Sequence, residues 1–462
     1  MNLDFLTDLN NLMYTYVLIF LLVGAGLWFT VRTRFVQLRR MGDVARILRE
    51  KAGGEAGKKS VSSFQALMIS TASRVGTGNI AGIAAAIATG GPGAVFWMWV
   101  MAVVGGASAF VESTLAQVYK VRDGDSFRGG PAYYISRALG RRWLGCVFSV
   151  LLIACFAYGF NGLQTYNIST ALSRYIPGYA DSRWPMLVGL VLAALTACVI
   201  FGGAHRIGVI TSVIVPVMAG GYILIGLVMI VTHLPAVPGV FYEIFTRAFD
   251  VQAMAGGFAG SAIVIGVKKG LFSNEAGMGS APNAAASAVV SHPAKQGLIQ
   301  TLSVFLDTLV ICSTTAMILM VSGAPVSKDI TYVQDAVSGT FGEAGILFIT
   351  IAIFFFAFSS LVGNYYYTEA NLRFIRDDKR LLFVFRLSCL AAIFFGAQAS
   401  FDTVWNLADI LMGLMAIVNI FAIFALGGVA VRTLGDYDRQ RREGKNPVFR
   451  AADIGVENTD CW

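Results

Sequence analysis

Between Ser62 and Thr89 the chain reads as a membrane-spanning helix whose middle has been taken out. The apolar stretch is long enough to cross a hydrocarbon core of about 30 Å at about 1.5 Å per residue. Its centre, however, is Arg74-Val75-Gly76-Thr77-Gly78-Asn79-Ile80, with two glycines, two short polar residues and a full charge. In lipid, unwound backbone is tolerated only where protein or a water-filled cavity replaces the lost hydrogen bonds. One reading is a glycine-kinked helix packed on a neighbour; the other is a discontinuous helix whose freed backbone groups hold a ligand or ion.

The rest of the 462 residues sets the context: 56% are hydrophobic, 13% are charged, and the mean hydropathy is +0.67. Eleven apolar spans are predicted, at about 12–31, 62–90, 93–119, 144–174, 184–202, 207–232, 253–290, 296–322, 343–371, 381–398 and 402–431. The fold class is therefore an all-α polytopic membrane protein with about eleven transmembrane helices. A formal charge of +8 does not indicate nucleic acid, because the basic residues fall mainly in short loops between spans. Four clusters stand out: Arg32 to Lys59, Lys120 to Arg142, Arg373 to Arg380, and Arg432 to Arg450. With this span count all four fall on one side, which places the amino end outside and the carboxyl end in the cytoplasm. The first apolar run is too long and its start too acidic for a signal peptide. Six scattered cysteines without a CxxC, and only three histidines, give no disulfide framework and no metal site.

A second interruption lies within the 253–290 span, at Lys268-Lys269-Gly270-Leu271-Phe272-Ser273-Asn274-Glu275-Ala276-Gly277-Met278-Gly279-Ser280. Each buried Lys or Glu there costs about 2.5–3.5 kcal/mol on insertion scales, so the group has a cavity, a partner network or a function. The broken spans are the second and the seventh, and each opens a block of five. The chain then divides into an amino-terminal helix with its basic loop (1–61), a first five-helix unit (62–232), a second of opposite topology (253–431) and a tail (432–462). Two inverted five-helix units, each starting with a broken helix, are the layout of a secondary transporter with its site at the midplane. The loop Leu234 to Gln252 holds an amphipathic stretch around Phe241 to Phe245, read either as a surface helix over an entrance or as a plain connector.

Several motifs closely resemble the alanine or glycine:cation symporter family. They are Ser63 to Leu67, Gly76 to Gly82, Gly90 to Trp99 and Phe272 to Pro282, with further likeness at Phe305 to Thr308 and Tyr365 to Glu369. The resemblance spans about residues 10 to 435. It implies a LeuT-like fold, a bacterial-type inner-membrane location, and sodium-driven uptake of small neutral amino acids: alanine or glycine, D-alanine included. Sodium is then a co-transported ion, and no organic cofactor or obligate protein partner is expected.

A zwitterionic substrate needs donors for its carboxylate and acceptors for its ammonium, and a broken helix supplies both. Gly76 and Gly78 let a ligand approach the main chain, while Thr77 and Asn79 add short polar groups. By family similarity Asn79 touches substrate, and the Val75, Gly76 and Gly78 carbonyls lie near substrate or sodium. Gln164 resembles a glutamine that family members point at substrate; the alternative is an interhelical hydrogen bond. Phe272 is expected to cap the pocket, Met278 to line it, and Ser273 and Asn274 to hold polar ends. Glu275 is either a ligand or an anchor paired with Lys268 or Lys269. Asp307 either balances charge or pairs with Arg74 or a lysine. In LeuT-like proteins the helix corresponding to Ala357-Phe358-Ser359-Ser360 supplies oxygens to a bridging sodium, with Ser360 the stronger candidate of the two serines. Asn364 stands where some members carry tryptophan, and Arg74 where a smaller polar residue is usual; Asn364 then forms part of the pocket wall. An uncoupled facilitator or channel remains the alternative function. A membrane enzyme is disfavoured, since no nucleophile, acid–base or metal set has usable spacing.

Overall fold

The computed structural model describes residues 3–50, 61–124, 126–249 and 261–462. Helices dominate it, in the order α1 (Phe5–Arg32), α2 (Ser63–Arg74), α3 (Ala81–Gly90), α4 (Gly93–Val118), α5 (Pro131–Ala138), α6 (Arg142–Tyr175), α7 (Trp184–Ile200), α8 (Gly203–Thr232), α9 (Val237–Arg247), α10 (Ala262–Asn274), α11 (Pro282–Ser287), α12 (Pro293–Ser322), α13 (Ile330–Ile375), α14 (Lys379–Gly396) and α15 (Phe401–Arg442). A two-stranded antiparallel hairpin, β1 (Val121–Asp123) and β2 (Ser126–Arg128), sits between α4 and α5. Among the described residues seven helices are long and apolar enough to cross a membrane, which makes this an all-α multi-pass membrane protein.

Every predicted span is helical where it is described, and both predicted interruptions are real. The helix predicted to begin at 343 starts instead at Ile330 and turns a corner at Gly342, whose φ of 60° is the left-handed value glycine favours. The last helix runs on to Arg442, beyond the apolar stretch, and residues 443–462 are irregular apart from a short 3-10 turn at Ala451–Ile454. Arg39 and Arg40 on the first basic loop hold Asp438 of this extension, at 2.8 and 2.7 Å. Arg128 bonds Asp377 at 3.2 Å and Arg137 reaches Asp460 at 3.7 Å. These pairs join the four basic clusters to one another, so they share one face, as their loop positions predicted. The start of the 253–290 span and residues 51–60 lie outside the described residues.

Helix α4, wedged between α1, α10 and α12, is the buried spine of the bundle. Helix α2 is surrounded by α8, α11, α12 and α13. It starts on a capping box, in which Ser62 Oγ accepts from the Gln65 amide and Gln65 Oε1 from the Ser62 amide. Helix α10 likewise starts on Ser261, whose hydroxyl accepts from the Val264 amide. Helix α9 is the predicted surface helix: Phe241 and Phe245 pack on Trp99, and Phe245 also on Phe96.

Candidate functional site

Helix α2 ends because Val75 and Gly76 leave helical geometry, after which Thr77–Asn79 form a single 3-10 turn before α3. The amides freed by this break are satisfied by side chains. Gly76 N–H donates to its own turn's Asn79 Oδ1 at 3.2 Å, and Thr77 N–H to Gln164 Oε1 at 2.9 Å. Asn167 Nδ2 donates to Thr77 Oγ1 at 2.9 Å, and Thr315 Oγ1 to the Asn79 carbonyl at 2.6 Å. The interhelical bond expected as Gln164's alternative role is thus made, and made to the break itself.

Space around the break is filled tightly. A Cβ added to Gly76 would lie 2.4 Å from Ser360 Oγ and 2.8 Å from Gln164 Nε2. One added to Gly78 would lie 2.2 Å from Phe272 Cε1. Phe272 is held there by Phe160 and Trp405, with ring centroids 4.8 and 5.1 Å away. Ser360 Oγ donates to the Ala72 carbonyl at 2.9 Å, tying α13 to the last turn of α2. Ser359 faces elsewhere, with its hydroxyl bonded to Phe356 O and 3.6 Å from the Met218 sulfur. Ala357 packs with Ile168, Leu192 and Leu361 rather than with the break.

The second break is built from left-handed backbone. Glu275 closes α10 at φ 54°, and Gly277 and Gly279 follow at 83° and 87°. Just before the turn, Ser273 Oγ bonds Asp307 Oδ2 and lies 2.9 Å from Cys312 Sγ. Asp307 Oδ1 accepts from Asn79 Nδ2 at 2.6 Å, so one carboxylate joins the first break, the second break and α12. Asp307 is fully buried and, among the described residues, forms no ion pair with Arg74 or a lysine, unlike one of the two expectations for it. Asn274 Oδ1 caps the Ala276 amide at 3.0 Å while its buried Nδ2 has no partner among the described residues. Met278 is buried inside the turn, its amide bonded to Glu275 O at 3.2 Å. Asn364 reaches both Ser73 Oγ, at 2.7 Å, and Asn161 Oδ1, at 2.9 Å.

The charges sort differently from the expected pairing. Lys268 and Lys269 both face Asp409 of α15, at 2.7 and 3.8 Å, and Lys269 Nζ lies 3.6 Å from the Trp405 ring centroid. Glu275 instead accepts from the Ser280 and Ser73 hydroxyls. The reason is the left-handed turn at Glu275, which sends its side chain away from the lysines of the preceding helix. Arg74, only 3% exposed, donates from Nη1 to Gln300 O and Oε1 at 3.4 and 3.3 Å; its Nε and Nη2 have no partner among the described residues. Glu112 of α4 was not singled out as a site residue from sequence. It accepts from Gly277 N–H at 3.3 Å and Asn419 Nδ2 at 2.7 Å, and so holds the second break to α15. A single acid inside an apolar span was its only signal.

The sequence matches the profile of the sodium:alanine symporter family over residues 2–451. The amino-acid carrier protein AlsT of Bacillus subtilis is 50% identical, over 99% of this chain and 98% of that protein. A protein of the same organism named as a probable sodium/glutamine symporter, GlnT, is 47% identical over 98% of this chain and 94% of its own length. In fold, a manganese transporter from Eremococcus coleocola aligns with a TM-score of 0.54 at 14% identity, covering 87% of this chain and 85% of that one.

Proposed function

The chain belongs to the sodium:alanine symporter family, and from that footing we propose that it imports a small neutral amino acid together with sodium by alternating access. The substrate is alanine or glycine, with D-alanine included. The architecture is a LeuT-like pair of inverted units, residues 62–232 and 253–431, within eleven spans, and the face carrying the basic loops is cytoplasmic. The observation that carries this reading is the convergence of the two breaks on Asp307, through Asn79 and Ser273.

In this reading the substrate carboxylate takes the Thr77 amide that Gln164 Oε1 now occupies, and Gln164 and Asn79 turn toward its ammonium. Phe272 covers it from the Gly78 side. Sodium lies between Ser360 and the Val75 to Gly78 carbonyls; Asp307 offers an anionic oxygen for cation binding beside Asn79. One sodium entering down about 100 mV supplies roughly 2.3 kcal/mol, on the order of a 50-fold solute gradient, so a single coupled ion suffices for uptake.

The test is uptake of labelled alanine and glycine into proteoliposomes, with sodium exchanged for potassium or choline and with unlabelled glutamine and D-alanine as competitors. Accumulation above equilibrium only with sodium is the expected result. Uptake indifferent to sodium that stops at equilibrium would establish a facilitator. Strong competition by glutamine but not alanine would overturn the substrate assignment.

A further inference from the structure

On the face that carries the basic loops, four arginines from four separate elements line one cavity of about 360 Å³. Arg128 comes from β2, Arg137 from α5, Arg142 from the first residue of α6, and Arg373 from the last turn of α13. Val121, Tyr133, Ser136 and Phe374 complete the wall, which holds no carboxylate among the described residues. The acidic partners lie outside the lining. Arg128 bonds Asp123 and Asp377 at 3.0 and 3.2 Å, Arg373 bonds Glu369 at 2.6 Å, and Arg137 touches Asp460 at 3.7 Å. Arg142 makes no ion pair among the described residues; its guanidinium lies 5.7 Å from the Phe374 ring centroid. Arg373 Nε is buried without a hydrogen-bond partner among the described residues. Three of the four guanidiniums are thus ion-paired from outside the lining, and Arg142 brings the positive charge that an anion in the cavity would neutralise.

We infer that this cavity is a binding site for a phosphate group. Guanidinium forks match the oxygens of a phosphate in pairs, and Tyr133 and Ser136 add hydroxyl donors. The volume suits a headgroup-sized ligand. The cavity also sits at the ends of two long apolar helices, the depth at which basic pockets between helices take anionic lipid headgroups. The shared chemistry is a phosphate oxyanion, supplied either by an anionic phospholipid or by free phosphate. An occupant bridges α6 to α13, the helices that bring Gln164 and Ser360 to the first break. It therefore braces the site from a distance without touching it.

The experiment is a thermal-unfolding titration of the full purified chain. One arm adds inorganic phosphate, and the other uses mixed micelles carrying phosphatidylglycerol against micelles carrying phosphatidylcholine alone. Saturable stabilisation by phosphatidylglycerol only assigns a lipid headgroup; stabilisation by phosphate in its absence assigns the soluble anion. In either arm Arg142→Gln weakens the apparent affinity on the order of tenfold, the loss of one charge-assisted contact. Arg141→Gln, which removes the neighbouring charge outside the lining, leaves it unchanged. No stabilisation in either arm, or equal loss in both variants, would overturn the assignment. Because the readout is unfolding rather than transport, it stands or fails independently of the substrate.

Discussion

The Phe272 ring occupies the place where a side chain on Gly78 would have to go. A Cβ on Gly78 would lie 2.2 Å from the ring, which leaves room for a hydrogen and nothing larger. The two breaks are therefore fitted to each other. Gly78→Ala is expected to cost about 1–3 kcal/mol through overpacking, and to lower alanine affinity by the equivalent of roughly 5- to 150-fold. Gly78→Ala combined with Phe272→Leu should recover part of that loss. Isothermal binding measurements on the two variants check this; a single variant with wild-type affinity would show that the ring moves aside freely.

Among the described residues Asp307 is the acid bonded to both breaks. Asp307→Asn keeps its size and hydrogen-bonding capacity but removes the charge. Sodium affinity, measured as the sodium concentration that half-activates alanine uptake, should weaken at least about tenfold, with protein yield retained. An unchanged sodium dependence would remove Asp307 from cation binding.

Gln164 and Asn79 are satisfied by the break rather than by solvent, so truncating either leaves a buried amide or carboxylate oxygen short of a partner. Gln164→Ala and Asn79→Ala should each abolish detectable alanine binding while costing about 1–3 kcal/mol of stability. Near-normal affinity in both, read by scintillation proximity, would place the substrate elsewhere.

Asp409 neutralises two lysines at once. Asp409→Asn strands both in a buried site and should cost about 3–5 kcal/mol, seen as a marked fall in Tm of the detergent-solubilised protein. Lys268→Met in the same chain should return part of the loss. Equal Tm values for the single and double variants would argue that the pair is already neutral.

Lys120 lies beyond the end of α4 with its ammonium 3.2 Å from Ala288 O and 4.1 Å from the Phe127 ring centroid. Burial lowers its pKa from 10.5 to about 7. Between those values the unfolded chain carries a proton that the folded chain lacks, so stability rises with pH across the window and is lowest below about 7, where both states are charged. A Tm that climbs with pH in the wild type, and a flatter profile in Lys120→Met, are the expected results. Parallel profiles would assign the slope to other groups.

What was legible from sequence was whatever the bilayer dictates locally. Apolar length marked the spans, and glycines beside polar residues marked both breaks, because lipid tolerates neither charge nor open backbone without a reason. Loop arginines marked a shared face. Partner choice was not legible, because it is made between residues far apart in the chain. Nothing near Lys268 points to Asp409, and nothing near Arg74 points to Gln300. Adjacent serines were equally opaque: residues one step apart on a helix face about 100° apart, so Ser360 meets the break while Ser359 meets Met218. Glu112 needed the fold, since its role is to hold the Gly277 backbone inside the irregular second break.

Arg74 is a fixed positive charge at the inner end of a half-helix, held to α12 by one nitrogen only. Any tilt of α2 that carries it along the membrane normal does electrical work, up to roughly 2.3 kcal/mol per 100 mV for a full crossing and proportionally less for a partial one. In such a tilt Arg74 would act as a gating charge. A voltage step should displace that charge and give a brief capacitive current, which decays without sustained ion flow when neither solute nor sodium is supplied.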